Sequence, residues 1–173
     1  PNAAVQKYLN ARKVPQLFVS SGASKFTDPK TFRWTMGWLP TYYGEARAYA
    51  HYVLQHRPDA KIAVLYQNDD FGKDYLHGLH DGFGDQAKKL IVAEASFELS
   101  DPTVDSQVVS LKASGADTFF NIATAKFAAQ AIRKAYDIGW KPLQFVSLVG
   151  SSVGQVMTPA GPEKAVGAIT VGF

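Results

Sequence analysis

Residues 61–72 read KIAVLYQNDDFG, and the rest of the chain is organised around them. Ile62 to Tyr66 form a short continuous run of apolar and β-favouring residues. A helical pattern opens directly after it, at Phe71. Such a run, closed by a polar turn, predicts a buried strand of a parallel sheet feeding a helix. In an open α/β sheet, ligands bind beyond the carboxyl ends of the strands. The turn NDDFG therefore sets two carboxylates, an aromatic ring and a hinge-capable glycine at the ligand-facing edge.

Downstream the same unit repeats. Strand 61–67 precedes helix 71–85, whose apolar row is Phe71, Tyr75, Leu79 and Phe83. Strand 90–97 precedes helix 103–114, which buries Val104, Val108 and Leu111. Strand 117–122 precedes helix 125–138. Strand 143–148 leads to a Gly/Ser loop, a short helix near 153–158 and a last strand near 168–173. Gly115 and Gly139 stand where left-handed helix caps belong. This alternation predicts an α/β fold with a doubly wound parallel sheet and right-handed crossovers. Counted from strand 61–67, the expected strand order is 2-1-3-4-5.

Upstream, residues 1–11 read as the tail of a helix with Val5, Tyr8 and Leu9 on one face. A short strand at 16–20 follows, then the loop SGAS at 21–24. Its small side chains let a ligand approach backbone N–H groups and hydroxyls closely. A strand at 32–36 leads into a crossover. Thr41 is placed to N-cap a helix running to about residue 55, with Tyr42, Ala46, Tyr49, Ala50 and Val53 as its buried stripe.

The 173 residues are 46% hydrophobic and 19% charged, with a formal net charge of +3. That is an ordinary globular composition. Lysines and arginines are scattered, which argues against a nucleic-acid footprint. No apolar run approaches the roughly 18 residues needed to span a membrane. With no cysteine, disulfides, thiolate metal sites and a cysteine nucleophile are excluded. This suits an oxidising compartment. The start at Pro1, without Met or a signal peptide, and the finish on an apolar strand suggest an excised segment of a longer protein.

Three groupings invite a chemical reading. GSSVG at 150–154 matches G-x-S-x-G, after a strand and before a helix, with Ser152 as the nucleophile. A hydrolase of that type places its histidine after the serine. Here His51, His56, His77 and His80 all precede it, so a flexible strand-end loop is the plainer reading. His77 and His80, three apart with Asp81 beside them, have metal-ligand spacing, but they fall on the solvated side of their helix. Asp69 and Asp70 have the residue types of paired acids. They sit at a helix start, where carboxylates serve as caps. No zinc spacing, Walker loop or dinucleotide fingerprint occurs, and no cofactor or metal is expected.

The runs KVPQLFVSSGAS, GWLPTYYGEARAYAHYVL and KIAVLYQNDDFGKDYLHGL, then DSQVVSLKASGADTFF followed by QAIRKAYDIGWK, resemble the periplasmic solute-binding proteins of ABC importers. The branch they resemble is the leucine/isoleucine/valine-binding type, also called extracellular ligand-binding receptors. The likeness covers nearly the whole chain. It implies two α/β lobes, joined by three crossovers, that close on a small ligand and do no chemistry. It implies a periplasmic location, a small carboxylate as ligand and an ABC transporter permease as partner. On this pattern residues 1–40 are the end of lobe one and a crossover. Residues 41–173 are lobe two, truncated before its C-terminal return.

The resemblance also implies a site. Gly22, Ala23 and Ser24 take the places that hold the ligand's carboxylate, and Phe71 takes that of a lobe-two aromatic. Thr124 stands where amino-acid binders carry a tyrosine. Val149, next to Gly150, stands where they carry an acid. A buried ammonium without a carboxylate partner is costly. The expected ligand is therefore a small carboxylate, an amino acid or an aromatic acid. An acid that is aromatic or otherwise lacks an α-ammonium, stacked by Phe71 with Tyr42 and Trp38 near, is favoured over a branched-chain amino acid, unless Asp69 or Asp70 points into the cleft to pair with an ammonium. Such a piece is expected to bind weakly alone and to self-associate. Two other functions share these features: a serine hydrolase using Ser152, and the ligand-binding domain of a sensory receptor.

Overall fold

The computed structural model describes residues 2–172. Its centre is a four-stranded parallel sheet. Strand β3 (Ile62–Gln67) pairs on one side with β4 (Ile91–Phe97) and on the other with β5 (Thr118–Ile122). β5 pairs in turn with β6 (Leu143–Val146). The spatial order β4-β3-β5-β6 is the expected 2-1-3-4. The expected fifth strand is reduced to a single bridge between Ile169 and Phe145, and Phe173 lies outside the described residues.

The apolar run of β3 is explained by burial on both faces. Ile62 and Val64, with Phe120, Ile122 and Phe145 from neighbouring strands, pack under helices α2 (Tyr42–His56) and α3 (Asp70–Phe83). Ala63 and Leu65, with Phe119 and Val146, pack under α5 (Asp105–Ala113) and α6 (Ala125–Asp137). Phe120 lies flat on Phe145, ring centres 4.7 Å apart. Each wholly buried ring contributes about 1.5–3 kcal/mol by leaving water. A short α4 (Ala87–Leu90) precedes β4. The sequence reading started the strand one residue early because Leu90 is buried as the last residue of that turn.

Local signals act as the sequence indicates. The Thr41 hydroxyl accepts the N–H of Gly44 at 3.0 Å and caps α2. Gly115 and Gly139 close α5 and α6 at φ +75° and +69°, angles that cost a side-chain-bearing residue about 1–2 kcal/mol.

The first 40 residues form a smaller layer. Helix α1 (Asn2–Ala11) lies against a separate two-stranded parallel sheet, β1 (Gln16–Val19) with β2 (Thr35–Gly37). Here one expectation is corrected. Val5 and Tyr8 are exposed, and the buried residue of α1 is Gln6. Its amide donates to Lys25 O at 2.8 Å, and that bond draws this face inward. The strand expected at 32–36 is shifted to Thr35–Gly37, because Phe32 N–H turns back to Asp28 O. Among the described residues no helix is long and apolar enough to cross a membrane.

Candidate functional site

The carboxyl edge of the sheet faces the loop 20–26, and a cleft of about 300 Å³ lies between them. Ser21, Ala23 and Lys25 line it from the loop, and Tyr42, Asp70 and Phe71 from the opposite side.

The β3–α3 turn shapes its wall. Asp69 caps α3, accepting the N–H groups of Phe71 and Gly72 at 3.0 and 3.2 Å. Gln67, buried at the end of β3, donates its amide to Asp69 Oδ2 at 2.5 Å. Thr124 Oγ1 donates to Gln67 Oε1 at 2.9 Å. Thr124 thus reaches the site through a relay: it fixes Gln67, which fixes the cap that aims Phe71. Of the two acids read as caps, Asp69 alone fills that role, and Asp70 pairs with Lys25.

Phe71, 8% exposed, stands edge-on to Tyr42 and to Tyr75, at 4.9 and 5.3 Å. Tyr42 and Tyr75 stack at 5.5 Å. Tyr42 also lies on the backbone of Gly22, where a Cβ would come within 2.6 Å of the ring, and its N–H donates to Gly22 O at 2.8 Å. Glycine is required there by this close approach. Ala23 N–H bonds Ser21 Oγ at 3.2 Å, and Ser24 N–H donates to Asp74 Oδ2 at 2.7 Å. Trp38 does not line the cleft. It packs edge-on with Phe18.

Val149 and Gly150 belong to the turn Leu148–Gly150 after β6 and do not line the cleft either. Val149 packs on the core beneath α2 and α3. Gly150 is wedged on Ala123, with carbonyl oxygen 2.5 Å from where a Cβ would stand. The acid absent from this turn's sequence comes from α2: Glu45, buried in the first turn, accepts Leu148 N–H at 2.9 Å. Its Oε1 also lies 2.9 Å from the Tyr49 hydroxyl.

Burial first, and the Glu45 charge second, push the Tyr49 and Tyr75 hydroxyls well above the ordinary phenol range. The Tyr75 hydroxyl is wholly buried and makes no hydrogen bond among the described residues. Unfolded, these phenols ionise near pH 10; folded, they stay neutral. Their contribution to stability is complete below about pH 10 and is lost as pH rises further. Tyr75→Phe removes a polar group without a partner. It is expected to leave stability at pH 7 unchanged, or raise it by up to about 1 kcal/mol, and to flatten the decline above pH 10. Urea titrations at pH 7 and pH 10.5 measure both effects.

A larger hollow, about 440 Å³, opens at the opposite edge of β6, lined by Trp140, Lys141 and Gln144 among others. It lies at the amino end of that strand, away from the edge where α/β sheets bind ligands, so the cleft is the better site. Ser152 Oγ accepts Gln155 N–H at 3.3 Å and caps the single turn Val153–Met157. Among the described residues its side chain bonds no histidine. His80 pairs with Glu94, and His77 rests on Tyr43.

The parallel α/β fold is one that this chain shares with periplasmic binding proteins. The periplasmic binding protein family model matches residues 1–173, and the chain belongs to that family. Among solved structures it is similar to a substrate-binding periplasmic protein from Ralstonia solanacearum. The identity is 24% and the TM-score 0.82, over 96% of this chain and 46% of that one. It is similar to a branched-chain amino acid ABC transporter protein from Thermus thermophilus with bound valine, at 16% identity and TM-score 0.82, over 98% and 43%. A fatty acid ABC transporter substrate-binding protein from Thermomonospora curvata aligns at 18% identity and TM-score 0.79, over 98% and 43%. At these identities the likeness shows the fold. The chain spans less than half the length of each structure. No curated protein matches it.

Proposed function

We propose that this chain contributes part of lobe one (residues 1–40) and most of lobe two (residues 41–173) to a periplasmic solute-binding protein. That protein captures a small carboxylate and passes it unchanged to an ABC transporter permease. The observation that carries the reading is the cleft itself, set between the loop 20–26 and the carboxyl edge of the parallel sheet. The family supports a role in binding. The valine bound to one similar structure and the fatty acid named for another are both carboxylates.

The finer reading is an acid with a flat apolar body and no α-ammonium. Asp69, Asp70 and Asp74, the carboxylates nearest the cleft, are each taken by internal partners: helix N–H groups, Lys25 and Ser24 N–H. Asp69 and Asp74 are held by main-chain N–H groups, and the charge of Asp70, the exposed one, is balanced by Lys25. Phe71 and Tyr42 offer ring faces and edges, which add about 0.5–1.5 kcal/mol per well-placed aromatic pair beyond burial. Self-association of the isolated piece belongs to the same reading, since Leu17, Phe18, Met36 and Trp38 are exposed. Thermal melting of the two-lobed protein against a panel of amino acids, aromatic acids and fatty acids tests the function. At 100 times the dissociation constant a ligand adds about 2.7 kcal/mol. A rise of several degrees with one carboxylate is expected. A panel without any shift would remove the solute-binding reading.

A further inference from the structure

The two carboxylate oxygens of Asp69 are held in different ways. Oδ1 takes both helix N–H groups, those of Phe71 and Gly72. Oδ2 takes the Gln67 amide at 2.5 Å. Asp69 lines the cleft and is half-buried. The cap of α3 therefore uses one oxygen of a carboxylate in the cleft wall. Among the described residues, the other oxygen has Gln67 as its one hydrogen-bond partner.

Gln67 is 4% exposed, and its amide has one orientation. A carboxylate only accepts, so Nε2 faces Asp69 and Oε1 is left for a donor. Thr124 Oγ1 is that donor, at 2.9 Å. Thr124 stands at the N-cap of α6 with extended backbone, yet its side chain makes no cap hydrogen bond. A threonine at that position ordinarily accepts a helix N–H. Its hydroxyl serves Gln67 instead. A residue that breaks a local rule for a contact across strands marks a site with a task.

We infer that Gln67 and Thr124 are positioning residues that set the specificity of the cleft: they lock Asp69 Oδ2 and so deny an acceptor to a solute's ammonium. The inference rests on the solute-binding reading above and names the residues behind the preference for acids without an α-ammonium. With Oδ2 tied to Gln67, Asp69 can turn to a cationic solute only by leaving its cap. An ammonium that took Oδ2 would also strand the buried Gln67 amide without an acceptor, and an unpaired donor out of water is costly. Without that amide, Oδ2 is open to an ammonium while Oδ1 keeps the cap.

The test is calorimetry on the two-lobed protein with L-phenylalanine and 3-phenylpropanoate as probes. The two share a ring, a chain length and a carboxylate, and differ in the α-ammonium. Wild type is compared with Gln67→Met, which keeps the bulk and removes the amide. Thr124→Val removes only the hydroxyl, and Thr124→Ser keeps it. The quantity read is the dissociation constant of phenylalanine divided by that of phenylpropanoate. It is expected to fall about tenfold in Gln67→Met, the low end for a hydrogen bond to a charged group. It is expected to fall about threefold in Thr124→Val, where a neutral bond is lost, and to keep the wild-type value in Thr124→Ser. Thr124 is half-buried, so Thr124→Val keeps the test decisive if Gln67→Met does not fold. A purely structural role weakens both probes together and leaves the ratio alone. An unchanged ratio in Gln67→Met and Thr124→Val, with 3-phenylpropanoate still bound, would therefore overturn the inference and leave the solute-binding reading standing. No heat from either probe in any of the proteins would remove the aromatic-acid reading and this inference with it.

Discussion

Gly72→Ala is expected to destabilise the fold by about 2–3 kcal/mol, the range of an overpacked site. Helix propensity predicts the opposite sign, since replacing a glycine inside a helix usually gains about 1 kcal/mol. Geometry decides between them. A Cβ on Gly72 would lie 1.9 Å from the carbonyl oxygen of Gln67 and 2.8 Å from its nitrogen. Neither is the end of a flexible side chain. Both belong to the last residue of the central strand, which is paired on both sides. To admit the methyl, α3 must lift from β3. That disturbs the Asp69 cap and the Phe71 wall together. At about 2–4 °C per kcal/mol for a chain of this size, the melting temperature should fall by about 4–12 °C. Gly154, with open space around its Cβ position, is the control: Gly154→Ala should change little. Equal melting temperatures for wild type and Gly72→Ala would show that the strand–helix turn is looser than its geometry indicates.

The same turn shows what the sequence makes legible. The run Ile62–Tyr66 announces a strand buried on both faces because no polar residue interrupts it. Asp69, Thr41, Gly115 and Gly139 announce helix ends because capping is local chemistry. The strand order followed from the alternation of these units. Pairings across long stretches of chain were not legible. Ser24 and Asp74 are 50 residues apart, and Glu45 and Leu148 are 103 apart. Nothing in the residues near Val149 says that an acid arrives from another helix. Thr124 could be placed at a strand end, but its relay through Gln67 depends on the register of β3 against β5. The stripe read on α1 went wrong for a related reason. Gln6 is drawn inward by Lys25 O, a bond to another segment that periodicity within one helix does not show.

The second large effect concerns the ligand. An α-amino acid entering this cleft brings an ammonium, and the carboxylates near it already have partners. Asp69 would have to abandon the cap of α3, or Asp70 its lysine. An unpaired ammonium removed from water costs several kcal/mol. An aromatic acid brings no such charge and lays its ring beside Phe71 and Tyr42. Discrimination of at least about 100-fold, close to 3 kcal/mol, should therefore favour cinnamate or benzoate over leucine. The most direct measurement is isothermal calorimetry of the two-lobed protein with these three solutes. Saturable binding of an aromatic acid, with leucine at least about 100-fold weaker, is the predicted result. Tight binding of leucine with no heat from either aromatic acid would contradict it.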